Sequence, residues 1–209
     1  LKLVAIGVLS GLFFSTTFVL NRLMSLQGGH WAWTASLRYF FMLAFLLLWF
    51  LLTGNWRLLR QLLQLFCRNW RFWTVAGTIG FGLFYALISY SASYAPGWVI
   101  ATTWQATILA TPVVLMGFGK RVPTAALVFS LLIFAGVVLV NVSQAGKAPV
   151  ADILLGALPV LLAAFCYPLG NQLVWEAQNS THRLLPCIDH PAMNRPFAKV
   201  FLLTLGSIP

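Results

Sequence analysis

The side chains that could do chemistry in this chain are one arginine, a few amides and several aromatic rings, because carboxylates are almost absent. The 209 residues contain three Asp or Glu, and Asp152 is the first of them. Arg38 lies inside an apolar stretch that begins near Trp31. If that stretch crosses a membrane, an unpaired arginine within it is costly. Arg38 therefore either holds an anionic ligand group or a helix-end carbonyl in a cavity, or reaches the lipid headgroups as an anchor.

Other candidates lie in the middle of further apolar stretches. Gln105 has four hydrogen-bonding positions that need partners in hydrocarbon, so it faces either a wet cavity or a neighbouring helix. The adjacent Trp104 either offers a flat surface to aromatic or cationic molecules or faces lipid. Tyr85 and Ser89 lie four residues apart and share one helix face, with Tyr90 on a neighbouring face. These three side chains are candidates for a polar path.

Two asparagines complete the set of candidates. Asn21 and Asn171 each lie near the end of an apolar stretch, where they either contact a ligand or form capping and interhelical hydrogen bonds. Nothing in the chain indicates catalysis or a cofactor. Near the end, His182 and His190 flank a cysteine and an aspartate, but their spacing fits no common metal site. We therefore predict neither an enzyme nor a metal protein.

The elements that position these residues are membrane-spanning helices. Hydrophobic residues make up 60% of the chain, charged residues 8%, and the mean hydropathy is +0.88. A soluble domain draws about a quarter of its residues from the charged types. The apolar stretches have the length that a helix needs to cross a bilayer, about 20 residues. We predict an all-α, polytopic transmembrane bundle with spans at 3–22, 31–53, 72–94, 97–118, 123–142 and 153–175, and a seventh that begins near Ala198 and is cut off at Pro209.

The basic residues predict the orientation of the bundle. Ten Lys or Arg fall on the side of the N-terminus and two on the other, with Arg38 the thirteenth, inside a span. The positive-inside rule places the N-terminus in the cytoplasm of a plasma membrane, the inner membrane in a bacterium. Because the positive charges lie in short loops, we expect no nucleic-acid partner. The segment 55–70 is predicted to be an amphipathic helix in the headgroup region, with Trp56, Leu59, Leu63 and Phe66 toward lipid.

A weak internal repeat suggests how the chain is organised. A shift of 150 residues places Val19–Leu23 on Leu169–Leu173, with an asparagine in the middle of each segment. The first and sixth spans would then be equivalent helices of two repeats, 1–145 and 146–209. With five spans in the first repeat, the second is inserted upside down. That inverted arrangement is typical of secondary transporters.

Several short motifs resemble the drug/metabolite transporter superfamily, and within it the ten-helix multidrug resistance efflux transporter branch. They are Leu37–Phe40, Thr111–Val114, Phe118–Arg121 and Leu132–Val138 for the superfamily, and Phe14–Asn21, Trp104–Gln105 and Tyr167–Gln172 for the branch. Many superfamily members have a glutamate after the fourth helix, where this chain has Lys120 and Arg121. The carboxylate that the small four-helix drug pumps carry in their first helix is also missing. Their proton-exchange mechanism therefore cannot be transferred to this chain.

The resemblance implies a transporter that exports small organic molecules, drug-like or metabolic, from a central cavity in the bilayer by alternating access. Amino acids, nucleosides and lipid-linked sugars remain alternative substrates. A different alternative is a non-transporting fragment or accessory membrane subunit, because ten helices need more residues than this chain has. If the chain were complete, it would have to form a homodimer to build a pathway.

Overall fold

The computed structural model describes residues 2–143, 149–179 and 182–207, and within these ranges the chain is helical without strands. The helices are α1 Lys2–Leu26, α2 Trp31–Leu52, α3 Trp56–Arg68, α4 Trp70–Gly77, α5 Phe84–Tyr94, α6 Gly97–Trp104, α7 Thr107–Gly117, α8 Thr124–Ser143, α9 Val150–Asn179 and α10 Pro196–Ser207. A π-helix, Thr78–Leu83, joins α4 to α5, and a 3₁₀-helix, Pro191–Asn194, precedes α10. The predicted repeat boundary at 145/146 lies outside the described residues.

Five helical segments in the described ranges are long and apolar enough to cross a membrane, which confirms the predicted fold class. They are Leu3–Leu26, Trp31–Leu52, Trp70–Tyr94, Gly97–Gly117 and Ala151–Asn179. The apolar parts of α8 and α10, Thr124–Val140 and Pro196–Ser207, are shorter. Large apolar side chains on α1, α2 and α8 are widely exposed, as expected for surfaces that face lipid.

The third and fourth spans are interrupted, at places that the sequence analysis did not identify. The third contains the π-helix, in which Gly80 and Gly82 lie. The fourth is divided at Gln105, where the backbone makes shorter bonds of the 3₁₀ type, including Gln105 N–H to Thr102 C=O at 3.1 Å. Prolines 112, 159 and 168 lie inside α7 and α9 without dividing them. The π-helix thus lies just before Tyr85, and the break in the fourth span lies just after Trp104.

Helix α9 forms the centre of the bundle, packed on α5, α6, α7 and the π-helix. Its close approach to the third span depends on two glycines, since a Cβ on Gly80 would lie 2.9 Å from the Cα of Gly170. Small residues allow such contacts between membrane helices. The crossing brings Tyr167 of α9 to the start of α5.

One sequence prediction needs correction at α3. The segment is a helix as predicted, and Trp56 and Leu63 are exposed. Leu59, however, does not face lipid: it is buried with Leu62 in a core cluster that also contains Trp73 of α4 and Phe201 of α10. Phe66, also predicted to face lipid, packs half-buried against the same cluster. The apolar face of an amphipathic helix can pack against protein as well as against lipid, and here much of that face is used to hold the ends of α4 and α10.

Candidate functional site

Three of the predicted candidates meet between α1, α2 and α5. The Arg38 guanidinium carbon lies 4.1 Å from the centre of the Tyr85 ring, and an Arg38 N–H reaches the Thr17 hydroxyl at 3.5 Å. The Tyr85 hydroxyl donates a hydrogen bond of 2.9 Å to the Asn21 side-chain oxygen. Tyr85 and Asn21 are buried and Arg38 is half-buried. We call Thr17, Asn21, Arg38, Tyr85 and Ser89 the polar cluster.

Local structure explains this convergence. Thr17 and Asn21 lie one turn apart on α1, and Tyr85 and Ser89 one turn apart on α5, so each pair shares a face. Helix α1 ends at Leu26 and is followed by a Schellman turn. Gly28, with φ +86°, is the left-handed residue of that turn, and the Gly29 N–H donates to the Met24 carbonyl at 2.9 Å. The His30 side chain then caps the start of α2. The tight turn sets α2 beside α1 and brings Arg38 back to Thr17.

The polar cluster has unused hydrogen-bonding capacity. The Asn21 amide nitrogen and the Ser89 hydroxyl are buried without a partner. Within the described ranges, which contain all three acidic side chains, no carboxylate forms an ion pair with Arg38. Buried polar groups in native proteins are nearly always hydrogen-bonded. Donors and an uncompensated positive charge are thus concentrated at one place.

Aromatic rings adjoin the polar cluster. The Trp104 ring centre lies 4.9 Å from that of Phe84, and both lie within 5.9 Å of Tyr167, with the Phe14 ring also 5.9 Å from Trp104. These four rings come from α1, α5, α6 and α9. Trp104 therefore lies against the inner helices. We call these four residues the aromatic cluster.

A further tyrosine connects the polar cluster to the π-helix. Tyr39 donates a 2.6 Å hydrogen bond to the Phe81 carbonyl, and its ring lies 5.9 Å from that of Tyr85. The Tyr39 bond adds a partner to a carbonyl in the irregular backbone just before α5. The bond therefore ties α2 to the π-helix just before Tyr85.

A cavity opens beside the polar cluster. Its volume is about 530 Å³, and its walls include Arg38, Tyr85, Trp33, Leu37 and Phe41. Trp33 and Phe41 are largely exposed. The cavity thus combines one positively charged group with apolar and aromatic walls.

The other candidates lie elsewhere. Gln105 is exposed at the break between α6 and α7. Asn171 is exposed and donates to the Tyr167 carbonyl of its own helix at 3.0 Å. Tyr90 packs between Trp31 and Tyr94, with ring centres at 5.6 and 4.9 Å. Within the described residues, no group of three or more His, Cys, Asp or Glu is placed to hold a metal ion.

Sequence reasoning missed Thr17, Tyr39, Phe84 and Tyr167 as neighbours of the site. Tyr39 and Phe84 are adjacent to candidates in the sequence, and that proximity was the available signal. Thr17 and Tyr167 lie in the motifs Phe14–Asn21 and Tyr167–Gln172, but their place beside the site depends on which helices pack together.

At the other end of the bundle, Lys120 and Glu176 form an ion pair. The Lys120 Nζ lies 3.0 Å from a Glu176 carboxylate oxygen and 4.5 Å from the centre of the Trp175 ring. Gln172 donates to the same carboxylate at 2.6 Å. Gly119, with φ +71°, ends α7 in a Schellman turn closed by Lys120 N–H to Leu115 C=O, and this turn points the chain toward α9. Lys120, which lies where many members of the superfamily have a glutamate, is thus paired with the carboxylate of Glu176.

Membrane-spanning helices with a charged, aromatic-lined cavity between them define a multi-pass helical membrane protein. The family comparison is consistent with that class. The chain belongs to the EmrE family, described as "Putative multidrug resistance efflux transporter", whose model matches residues 1–209. The resemblance noted in the sequence is confirmed, and the protein is a member of a membrane transporter family.

Two relatives match the whole chain. "Uncharacterized protein YjlA" of Bacillus subtilis (strain 168) is 35% identical over 222 residues, which cover 64% of that protein. The "Uncharacterized 42.1 kDa protein in intracellular alkaline protease 3'region" of Shouchella clausii is 34% identical over 219 residues, which cover 54% of it. The chain thus spans a little over half to two thirds of the length of these relatives. No solved structure matches it significantly.

Proposed function

We propose that this protein exports small organic molecules, drug-like or metabolic, across the plasma membrane, which in a bacterium is the inner membrane, by alternating access. The observation that carries the proposal is the cavity of about 530 Å³ with Arg38 and Tyr85 in its wall. Substrate sites of transporters lie at depth in the membrane, where helices are interrupted. The π-helix is such an interruption, and it ends two residues before Tyr85 of the cavity wall.

We further propose that 1–145 and 146–209 belong to two inverted repeats. Helix α9 lies against the helices of the first repeat, and its Asn171 corresponds to Asn21 in the internal repeat. Alternating access would then consist of rocking one repeat against the other. A homodimer and an accessory role are the alternatives to a pathway built from the repeats of one protein.

Accumulation assays test the export proposal. Cells that produce the full-length protein should accumulate less of at least one dye in a panel of anionic, neutral and cationic aromatic dyes than cells without it. The variant Trp104→Ala should restore accumulation at least in part, because Trp104 belongs to the aromatic cluster beside the site. Equal accumulation of every dye with and without the protein would contradict the proposal.

A labelling experiment tests the proposed orientation, with the N-terminus in the cytoplasm. Cys67 lies exposed on α3, and Gln27 lies exposed in the α1–α2 turn on the opposite side. A membrane-impermeant maleimide should label Gln27→Cys in intact cells and Cys67 only after permeabilisation, in variants that each retain a single cysteine. The reverse pattern would invert the topology.

A further inference from the structure

We propose that the substrate is an organic anion with an aromatic or apolar body, and that Arg38 in the cavity wall binds its oxyanion. This inference rests on the proposed function, since it names the chemical class that the exporter moves. It also differs from the expectation that an aromatic surface such as Trp104 binds cationic molecules.

The charge of Arg38 is the first argument. Its contacts in the structure are the Tyr85 ring at 4.1 Å and the Thr17 hydroxyl at 3.5 Å. A guanidinium has five N–H donors, and a hydroxyl and an aromatic face use few of them. Neither contact neutralises a positive charge at membrane depth. A carboxylate or phosphate group on a ligand would supply both the missing charge and the missing acceptors.

The orphaned donors are the second argument. The Asn21 nitrogen, a donor of two N–H groups, is buried and unpartnered, while its oxygen is held by the Tyr85 hydroxyl. The hydrogen bond from Tyr85 occupies the Asn21 oxygen, so the amide nitrogen is the group left without a partner. The ring of the same tyrosine lies against the Arg38 guanidinium. The unpartnered Ser89 hydroxyl lies one turn further along α5. Unpartnered donors in the same polar cluster as Arg38 suit an anion, and the positive charge of Arg38 disfavours a cation.

The walls of the cavity are the third argument. Trp33, Leu37 and Phe41 line it together with Arg38 and Tyr85. These apolar side chains could cover the body of the ligand while its anionic group remains at the guanidinium. The same walls would not compensate a free phosphate ion, which offers no apolar surface. An amphipathic organic acid therefore fits better than an inorganic anion.

Arg22 provides an internal comparison. It lies next to Asn21 on α1, but its N–H group donates to the Ala92 carbonyl at 2.9 Å. A backbone carbonyl gives this arginine a strong acceptor and ties α1 to α5. Of these two neighbouring guanidinium groups, the one without such an acceptor is the one in the cavity wall.

Three compounds that share the naphthalene ring and carry an anionic, a neutral or a cationic side chain test the inference. The full-length protein, purified in detergent with neutral lipid, is titrated with 1-naphthylacetate, 1-naphthylacetamide and 1-naphthylethylammonium, and Kd is measured for each. We expect the acid to bind about tenfold or more tighter than the amide, the size of a charge-assisted hydrogen bond. Arg38→Gln should remove this preference, so that the acid and the amide bind with similar Kd, while Arg38→Lys should keep part of it.

The control is Arg121→Gln, which removes an exposed positive charge far from the cavity. It should not change the preference. Equal binding of all three compounds, or an acid preference that survives Arg38→Gln, would overturn the inference. Normal acid binding by Arg38→Gln with poor membrane insertion would identify Arg38 as a headgroup anchor. If the cationic compound binds best and is exported, the inference fails while the export proposal stands; if no compound binds and no dye is exported, both fail.

Discussion

The charged side chains at the two ends of the bundle differ in whether another charged group of the protein compensates them. At one end, Glu176 has 1% of its side chain exposed and is matched by Lys120 at 3.0 Å, with Gln172 as an added donor. At the other end, Arg38 has an aromatic ring and a distant hydroxyl, and unpartnered donors lie around it. The first charge is compensated within the protein, and the second is not.

This difference separates a structural interaction from a binding site. A compensated pair has its acceptors and donors occupied, so it can join α7 to α9 but offers little to a ligand. An uncompensated arginine keeps its capacity for an external partner. The comparison therefore predicts that changes at Lys120 affect stability and that changes at Arg38 and its neighbours affect binding.

The largest effect is expected when the ion pair is broken from one side. Lys120→Gln leaves the buried Glu176 carboxylate without its counter-charge, which costs about 3–5 kcal/mol in fully buried pairs and less here, because the Lys120 side chain is 30% exposed. The melting temperature in detergent should fall clearly. The double variant Lys120→Gln, Glu176→Gln should recover most of the loss. If the double variant is no more stable than the single one, the pair is not the source of the stability.

A smaller effect is expected at Tyr85. Tyr85→Phe keeps the ring under Arg38 but removes the hydroxyl that orients Asn21, so binding of 1-naphthylacetate should weaken several-fold, as for one lost hydrogen bond. Tyr85→Leu removes the ring as well and should weaken it further. The melting temperatures of both variants indicate whether the fold is intact. Unchanged binding by Tyr85→Leu would remove Tyr85 from the site.

The smallest effect is expected at Asn171, which sharpens the comparison by showing that a predicted polar candidate can be inert. Its side chain is exposed and bonded within its own helix. Asn171→Ala should change the Kd for 1-naphthylacetate by no more than about twofold, since an exposed hydrogen bond within one helix contributes little. A tenfold loss of binding would show that Asn171 contacts the ligand and would extend the site to α9.

The sequence was sufficient to predict the helices and to single out Arg38 as a candidate. Hydropathy locates spans well because the backbone N–H and C=O groups of a span must form their hydrogen bonds within the helix, which requires a long apolar segment. A single arginine is easily recognised within such a segment. The sequence was not sufficient to predict which helices meet. Lipid is as apolar as leucine, so hydrophobicity does not indicate which face of a membrane helix is buried in protein. Lys120 and Glu176, 56 residues apart, and Arg38 with Tyr85 become neighbours only through packing.

The most direct test of the central claim is to locate the bound anion. A photoreactive azido derivative of 1-naphthylacetate is crosslinked to the full-length protein, and the modified peptides are mapped by mass spectrometry. We predict adducts on the walls of the cavity, at Trp33, Phe41 and Tyr85, which excess unlabelled acid prevents and which Arg38→Gln greatly reduces. Specific adducts confined to the Lys120 end of the bundle, with the cavity unlabelled, would contradict the account.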